Sequence, residues 1–153
     1  SIGLAVCLSE KFEGAALELL NQYRKEIVDA INWFYQNKNS EHVLENEKFI
    51  LIKTKNFIRE TLVGVMASIL SRSNIVDNEK LIIVSSYTSD GKIKFSIRSN
   101  KDNLNLKEIL GNLKQNIEID YGGHKNAAGC FVEKEQEEKF IKYLLEEINR
   151  KFY

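Results

Sequence analysis

The run Leu81-Ile82-Ile83-Val84, followed by Ser85-Ser86-Tyr87, sets the strongest constraint on the fold. A strand with one wet face alternates apolar and polar residues, whereas an unbroken apolar run belongs to a strand covered on both faces. The chain must therefore build a sheet with a layer on each side. The neighbouring segments supply the pieces. FILIKT (Phe49 to Thr54) reads as a short buried strand, and TLVGVMASILSR (Thr61 to Arg72) as a buried helix. Gly64, Ala67 and Ser68 let that helix approach a sheet closely. The Asp90-Gly91 pair predicts a two-residue hairpin into the strand KIKFSIRS, Lys92 to Ser99. A helix from Leu104 to Leu113, the short stretch IEID, a glycine-rich segment and a strand at CFV follow. The chain closes on an amphipathic helix with Phe140, Tyr143, Leu144, Ile148 and Phe152 near one face. The expected fold is α/β with α+β character: one mixed sheet flanked by helices.

Upstream, Phe12, Ala15, Ala16, Leu19, Leu20, Tyr23, Ile27, Ala30, Ile31 and Phe34 follow a helical repeat. They predict one long helix over about 10–37, with Ser9 as its N-cap. Gln36 to Asn46 is polar and reads as a linker, with His42 solvated within it. The organisation expected is a helical connector over 1–46 and a domain over 47–153. Trp33, Phe34 and Tyr35 read as packing residues. Glu133, Glu135, Glu137 and Glu138 read as charge favoured at the start of the last helix, worth roughly 0.3–1 kcal/mol.

Formal net charge is zero, with 22 basic and 22 acidic residues. That argues against a broad basic surface gripping long nucleic acid by counterion release, and leaves room for a local phosphate site. Cys7 and Cys130 have no close spacing, which points to a reducing compartment, a cytoplasmic setting and no zinc site. No apolar run reaches the roughly 18 residues of a membrane span, and the start SIGLAVCLS lacks the basic flank of a signal peptide. Because the chain begins at Ser1 and its one methionine is Met66, a piece of a longer protein is expected.

Two stretches carry chemistry. On the strand KIKFSIRS, Ile93, Phe95 and Ile97 share one face, and Lys92, Lys94, Ser96 and Arg98 share the other. Same-face neighbours stand about 7 Å apart, close to the spacing of successive phosphates in a single strand. A solvated hairpin face with protective lysines would look the same. The second stretch is DYGGHKNAAGC, Asp120 to Cys130. Gly122 and Gly123 permit positive φ or close approach of a ligand. Successive N–H groups there can form an anion-binding nest, with His124, Lys125 and Asn126 beside it. A tight turn with a satisfied histidine is the alternative.

GGHKNAAG resembles the GGGHxxAAG signature of the DHH-associated domain, the C-terminal module of DHH phosphoesterases. Ser96-Ile97-Arg98-Ser99 is similar to that family's S-x-R-S strand, and TLVGVMASIL to the helix before it, with archaeal RecJ-like proteins the favoured relatives. The resemblance covers about 49–153. It implies a domain that holds single-stranded DNA or short RNA while a separate DHH domain, carrying Mn2+ or Mg2+, cuts it. That catalytic half is expected in cis and outside this chain, which has no D-H-H triplet and only His42 and His124. The chain alone is then expected to be inactive, with no catalytic residue, metal ligand or cofactor of its own. The implied phosphate-binding residues are Gly122, Gly123, His124 and Arg98, with Lys94, Ser96, Lys125 and Asn126 supporting. Where the family has three or four glycines before the histidine, this chain has Tyr121-Gly122-Gly123, and Tyr121 becomes a candidate stacking surface. Two further roles fit the resemblance: docking a replication-complex protein, or serving as the equivalent domain of a nanoRNase or cyclic-dinucleotide phosphodiesterase. No membrane partner is expected.

Overall fold

The computed structural model describes residues 2–151, with side chains described from residue 9 onward, so the predicted roles of the Cys7 thiol and Phe152 lie outside the described residues. Helix α1 (Ile2–Asn37) leads to β1 (Val43–Glu45), β2 (Phe49–Lys53), α2 (Glu60–Arg72), β3 (Leu81–Tyr87) and β4 (Lys92–Arg98). Then come α3 (Leu106–Leu113), β5 (Ile119–Gly123), β6 (Ala127–Glu133), one 3-10 turn and α4 (Glu137–Lys151). The strands form a single sheet in the order β1-β2-β3-β4-β6-β5. Only β2 and β3 run parallel, joined by the crossover helix α2, while every other pair is antiparallel. The fold is the mixed, helix-flanked α/β sheet expected.

The uninterrupted Leu81–Val84 run has the cause assigned to it. Leu81 and Ile83 join a core with α3 and α4, centred on Phe95, Leu110, Val132 and Phe140. Ile82 and Val84 join a second core on the other side with Val63, Met66 and Leu70 of α2 and with Ala30 and Phe34 of α1. Side chains alternate across a strand, so a strand packed on both faces must be apolar at each position.

Four expectations are corrected. The first helix starts at Ile2, and Ser9 lies inside it instead of capping it. The segment read as a polar linker contains β1, whose Val43, Leu44 and Glu45 pair with Ile52, Leu51 and Ile50. Backbone hydrogen bonds make this edge strand, so a polar composition did not reveal it. His42 is not simply solvated: its Nδ1 lies 2.9 Å from the Lys53 carbonyl, and its ring meets Trp33 and Phe57 edge-on at 5.2 and 5.5 Å. The Asp-Gly turn has three loop residues, Ser89 to Gly91, because Thr88 N–H donates to the Lys92 carbonyl at 2.9 Å. Gly91 takes φ +83° there, the left-handed position of a type I turn with a bulge.

Candidate functional site

The register of β4, β6 and β5 assigns every side chain near the predicted motifs to a face. One face carries the rows Arg98–Ala127, Ser96–Gly129–Gly122, Lys94–Phe131–Asp120 and Lys92–Glu133. The other carries Ile97–Ala128–Gly123, Phe95–Cys130–Tyr121 and Ile93–Val132–Ile119, and is sealed by the α3–α4 core. On the first face, α2 lies beside β3 and β4. Along β6, Ala128, Cys130 and Val132 are buried while Ala127, Gly129, Phe131 and Glu133 are not. The result is a shelf: α2 is its wall, and β4, β6 and β5 are its floor.

Arg98 sits where wall and floor meet. Its Nε donates to Ser68 Oγ at 2.9 Å, one terminal nitrogen to the Gly64 carbonyl at 3.1 Å, and the other to the Ile97 carbonyl at 2.9 Å. A guanidinium has five N–H donors, so two remain uncommitted by these bonds. Burial, and secondarily the charge of Arg72, lower the Arg98 pKa from its ordinary value. Ser96, the next same-face residue, is only 4% exposed beneath α2. Beyond these lies a groove of about 590 Å3 lined by Thr61, Gly64, Val65, Ser68, Ile69, Arg72, Ser73, Lys94 and Arg98. That lining holds three cations and no carboxylate, in a chain whose charges cancel overall.

The glycine segment is a hairpin, and its glycines lie in strands instead of forming a separate turn nest. Gly123 has φ +127°, and a Cβ there would fall 2.5 Å from the Ala127 carbonyl oxygen and Ala128 Cα. No other residue fits. A Cβ on Gly129 would meet the Phe95 carbonyl oxygen at 2.7 Å. A Cβ on Gly122 would meet nothing within 4 Å, so Gly122 leaves the floor bare without packing requiring it. At the tip, His124 N–H donates to the Ala127 carbonyl at 2.7 Å, and the imidazole is exposed.

The tip is fastened to the rest of the domain. Leu106 N–H donates to the Lys125 carbonyl at 2.8 Å, and Ser99 N–H to the Asn126 carbonyl at 3.0 Å. The Asn126 amide donates to the carbonyls of Ser99 at 2.9 Å and Lys101 at 3.3 Å. Asn126 is therefore a latch between the hairpin and the segment after β4. Lys94, Ser96, Arg98, Gly122 and Gly129 share one face, with His124 and the Lys125 side chain at the adjoining tip. Tyr121 is on the opposite face, its hydroxyl 3.1 Å from where a Gly111 Cβ would stand. Packing against α3 removes it as a stacking surface on the shelf.

Arg72, Gly64 and Ser68 were not foreseen as site residues. Gly64, Ser68 and Arg72 recur every fourth residue, which puts them on one stripe of a helix. That stripe is the one facing Arg98. Among the described residues, no three His, Cys, Asp or Glu side chains come together where a metal ion could be held. No described helix is long and apolar enough to cross a membrane.

The domain is thus an α/β sheet with a cationic groove beside a glycine hairpin. The DHHA1 domain family matches residues 46–150, and the chain belongs to that family. Among solved structures, RecJ of Thermus thermophilus in complex with Mg2+ is similar, with TM-score 0.62 and 18% identity over 89% of this chain. The chain spans 20% of that RecJ chain. The Mn2+ complex of the same RecJ gives TM-score 0.61 at 20% identity, covering 89% of this chain and 18% of that one. The C-Ala domain of Aquifex aeolicus alanyl-tRNA synthetase gives TM-score 0.54 at 18% identity, covering 69% of this chain and 96% of that domain. CDC45 from Entamoeba histolytica gives TM-score 0.54 at 13% identity, covering 70% of this chain and 24% of that one. At these identities the likeness is one of fold. No curated protein matches the chain.

Proposed function

We propose that this chain is the substrate-holding part of a DHH-type phosphoesterase and grips the phosphodiester backbone of single-stranded DNA or short RNA. The observation that carries this reading is the groove in which Arg72, Lys94 and Arg98 meet without a carboxylate in its lining. Like charges gathered beside a partly buried guanidinium disfavour the empty site and favour a bound anion. Arginine presents a planar fork to phosphate oxygens and can also lie flat on a base. The bare backbone of Gly122 and Gly129 lets a flat or chain-like ligand lie against the sheet. His124 and Lys125 supply further polar groups at the tip. In this reading cleavage belongs to a DHH domain carrying Mn2+ or Mg2+, and the described residues position the substrate.

The test is fluorescence anisotropy of a labelled five-nucleotide strand at low salt against the parent chain, Arg98→Ala and His124→Ala. Loss of a charged contact or a stacked base should weaken binding by roughly 1–3 kcal/mol. No binding of either DNA or RNA by the parent chain would sink the reading.

A second reading, docking of a protein partner, is favoured by α1. Its Phe12 and Leu19 are 75% and 67% exposed, on the same apolar stripe whose far end, Ala30 and Phe34, packs into the domain. The fold shared with CDC45 is compatible with it. Partner binding indifferent to Arg98→Ala would support docking over substrate grip.

A further inference from the structure

We infer that Phe131 and Lys94 form a second subsite on the shelf, which stacks the nucleobase one nucleotide beyond the phosphate held by Arg98 and Arg72. The inference rests on the nucleotide reading of the groove and names a part of the floor outside the family motifs.

Phe131 occupies the shelf face of β6, directly opposite Lys94 on β4 and Asp120 on β5. It is 39% exposed, whereas Cys130 and Val132 beside it are buried in the α3–α4 core. An aromatic ring half open to water, on the part of the face beyond α2, is available for a planar ligand. The Lys94 Nζ lies over the ring, 6.0 Å from its centroid, so a base stacking on that face displaces the ammonium and frees it for the phosphate before that base.

The spacing selects a nucleotide chain over a lone phosphate. Arg98 and Lys94 are four residues apart on one strand, about 13 Å at a strand rise of about 3.3 Å per residue. The row between them, Ser96–Gly129–Gly122, has a buried hydroxyl residue and two glycines, so nothing protrudes to break the path. At about 7 Å per nucleotide that stretch takes two: a phosphate at Arg98 and Arg72 can be followed by the first nucleoside, a second phosphate over the glycines on the Lys94 side, and the second base on Phe131. The track ends there. Asp120 shares the Phe131 row, and in the next row Lys92 is paired with Glu133 at 3.9 Å. Carboxylates at that end disfavour a further phosphate, so the shelf measures a short stretch of chain.

The test compares affinities of a mononucleotide 5′-phosphate, a 5′-phosphorylated dinucleotide and a pentanucleotide for the parent chain and for Phe131→Ala, Phe131→Leu, Phe131→Tyr and Arg98→Ala. The parent should gain affinity from mononucleotide to dinucleotide and little beyond a trinucleotide length. Phe131→Ala should weaken the dinucleotide about 5- to 100-fold, the range of a lost base stack, and leave the mononucleotide unchanged. Phe131→Tyr should retain affinity, and Phe131→Leu should lose most of it although it keeps apolar area. Thermal melts confirm that each variant is folded. If Arg98→Ala weakens every ligand while Phe131→Ala weakens none, or weakens all equally, the subsite is refuted and the groove reading stands. If no ligand binds the parent, or Arg98→Ala is without effect, both fall.

Discussion

Gly64→Ala separates the two roles of the α2 wall. Alanine in place of glycine inside a helix contributes roughly 1 kcal/mol of stability by propensity alone. The new Cβ, however, would stand 3.3 Å from an Arg98 terminal nitrogen and 3.6 Å from Ser96 Oγ. Contact at 3.3 Å is tight, so the guanidinium must shift by a few tenths of an ångström. It cannot shift freely, because Ser68, Gly64 and Ile97 each hold one of its nitrogens. A charge-assisted hydrogen bond contributes about 1.5–3 kcal/mol, and stretching the bond to the Gly64 carbonyl sacrifices about half of that, roughly 1 kcal/mol. The two effects nearly cancel in folding. The melting temperature should stay within about 4 °C of the parent, since about 1 kcal/mol moves a domain of this size by about 2–4 °C. Binding has no such compensation: displaced donors miss the phosphate, and affinity should fall about 5- to 30-fold, or about 1–2 kcal/mol. Anisotropy titration and thermal denaturation on the same samples decide it. A variant that melts about 2–4 °C higher and binds as the parent does would show that Arg98 is neither tightly held nor used.

The same geometry makes three other outcomes measurable. Gly123→Ala should destabilise the chain by at least about 1–3 kcal/mol, the strain of a disfavoured backbone conformation, before the overlap with Ala127 and Ala128 is added; a change under about 0.5 kcal/mol in denaturant titration would contradict the assigned conformation. With Arg72 and Arg98 sharing one phosphate and Lys94 facing the next, the plot of log K against log salt for a single strand should slope about −1.4, from roughly 0.7 per neutralised phosphate, and Lys94→Gln should reduce that slope by about 0.7 unit; a flat plot would rule out phosphate contacts. Burial raises the Cys130 pKa well above its ordinary value, so the folded chain keeps a proton that the unfolded chain loses above about pH 8.5. The thiol's contribution is thus complete below about pH 8.5 and declines as pH rises toward the folded pKa, by up to about 1.4 kcal/mol per pH unit. Parent minus Cys130→Ala stability, measured from about pH 7 to about pH 10.5, should show that decline, and a constant difference would contradict burial of the thiol.

The layered sheet was legible because packing leaves its mark in residue type. Leu81–Val84 had to be covered on both sides, and α2 had to carry small residues where Gly64 and Ser68 approach β4. The basic face of β4 was legible from alternation, but its environment was not: Ser96 reads as polar and exposed, yet α2 buries it. Arg72 escaped notice because it belongs to a helix whose facing partner is fixed by the crossover between two parallel strands, a relation with no local signature. β1 escaped because an edge strand is held by backbone pairing, which composition does not report. The face of Tyr121 depended on the β5–β6 register, and a shift of one residue exchanges the two faces. The glycine segment was recognised as chemically special, but its conformation as a hairpin needed the same register. Of the predicted site residues, Lys94, Ser96, Arg98 and Gly122 share the shelf face with His124 and Lys125 at its tip, whereas Gly123 lies in the row of the opposite face and the Asn126 amide is spent on the carbonyls of Ser99 and Lys101.

The anchored tip of the β5–β6 hairpin has a consequence for motion. β5 is an outer strand of the sheet, and its last two residues, Gly122 and Gly123, bring no side chains to hold it against β6. The tip beyond them is bonded to Ser99, Lys101 and Leu106. Thermal opening should therefore begin along the glycine margin while the tip stays fastened, like a flap hinged at its loop. Amide hydrogen exchange would register this as fast exchange at Gly122 and slow exchange at Ser99, since local openings need less free energy than global unfolding. On the proposed function, a strand lying across the floor would bridge that margin to β4, so that occupancy and local order are linked and binding slows exchange at the seam that glycine leaves loose.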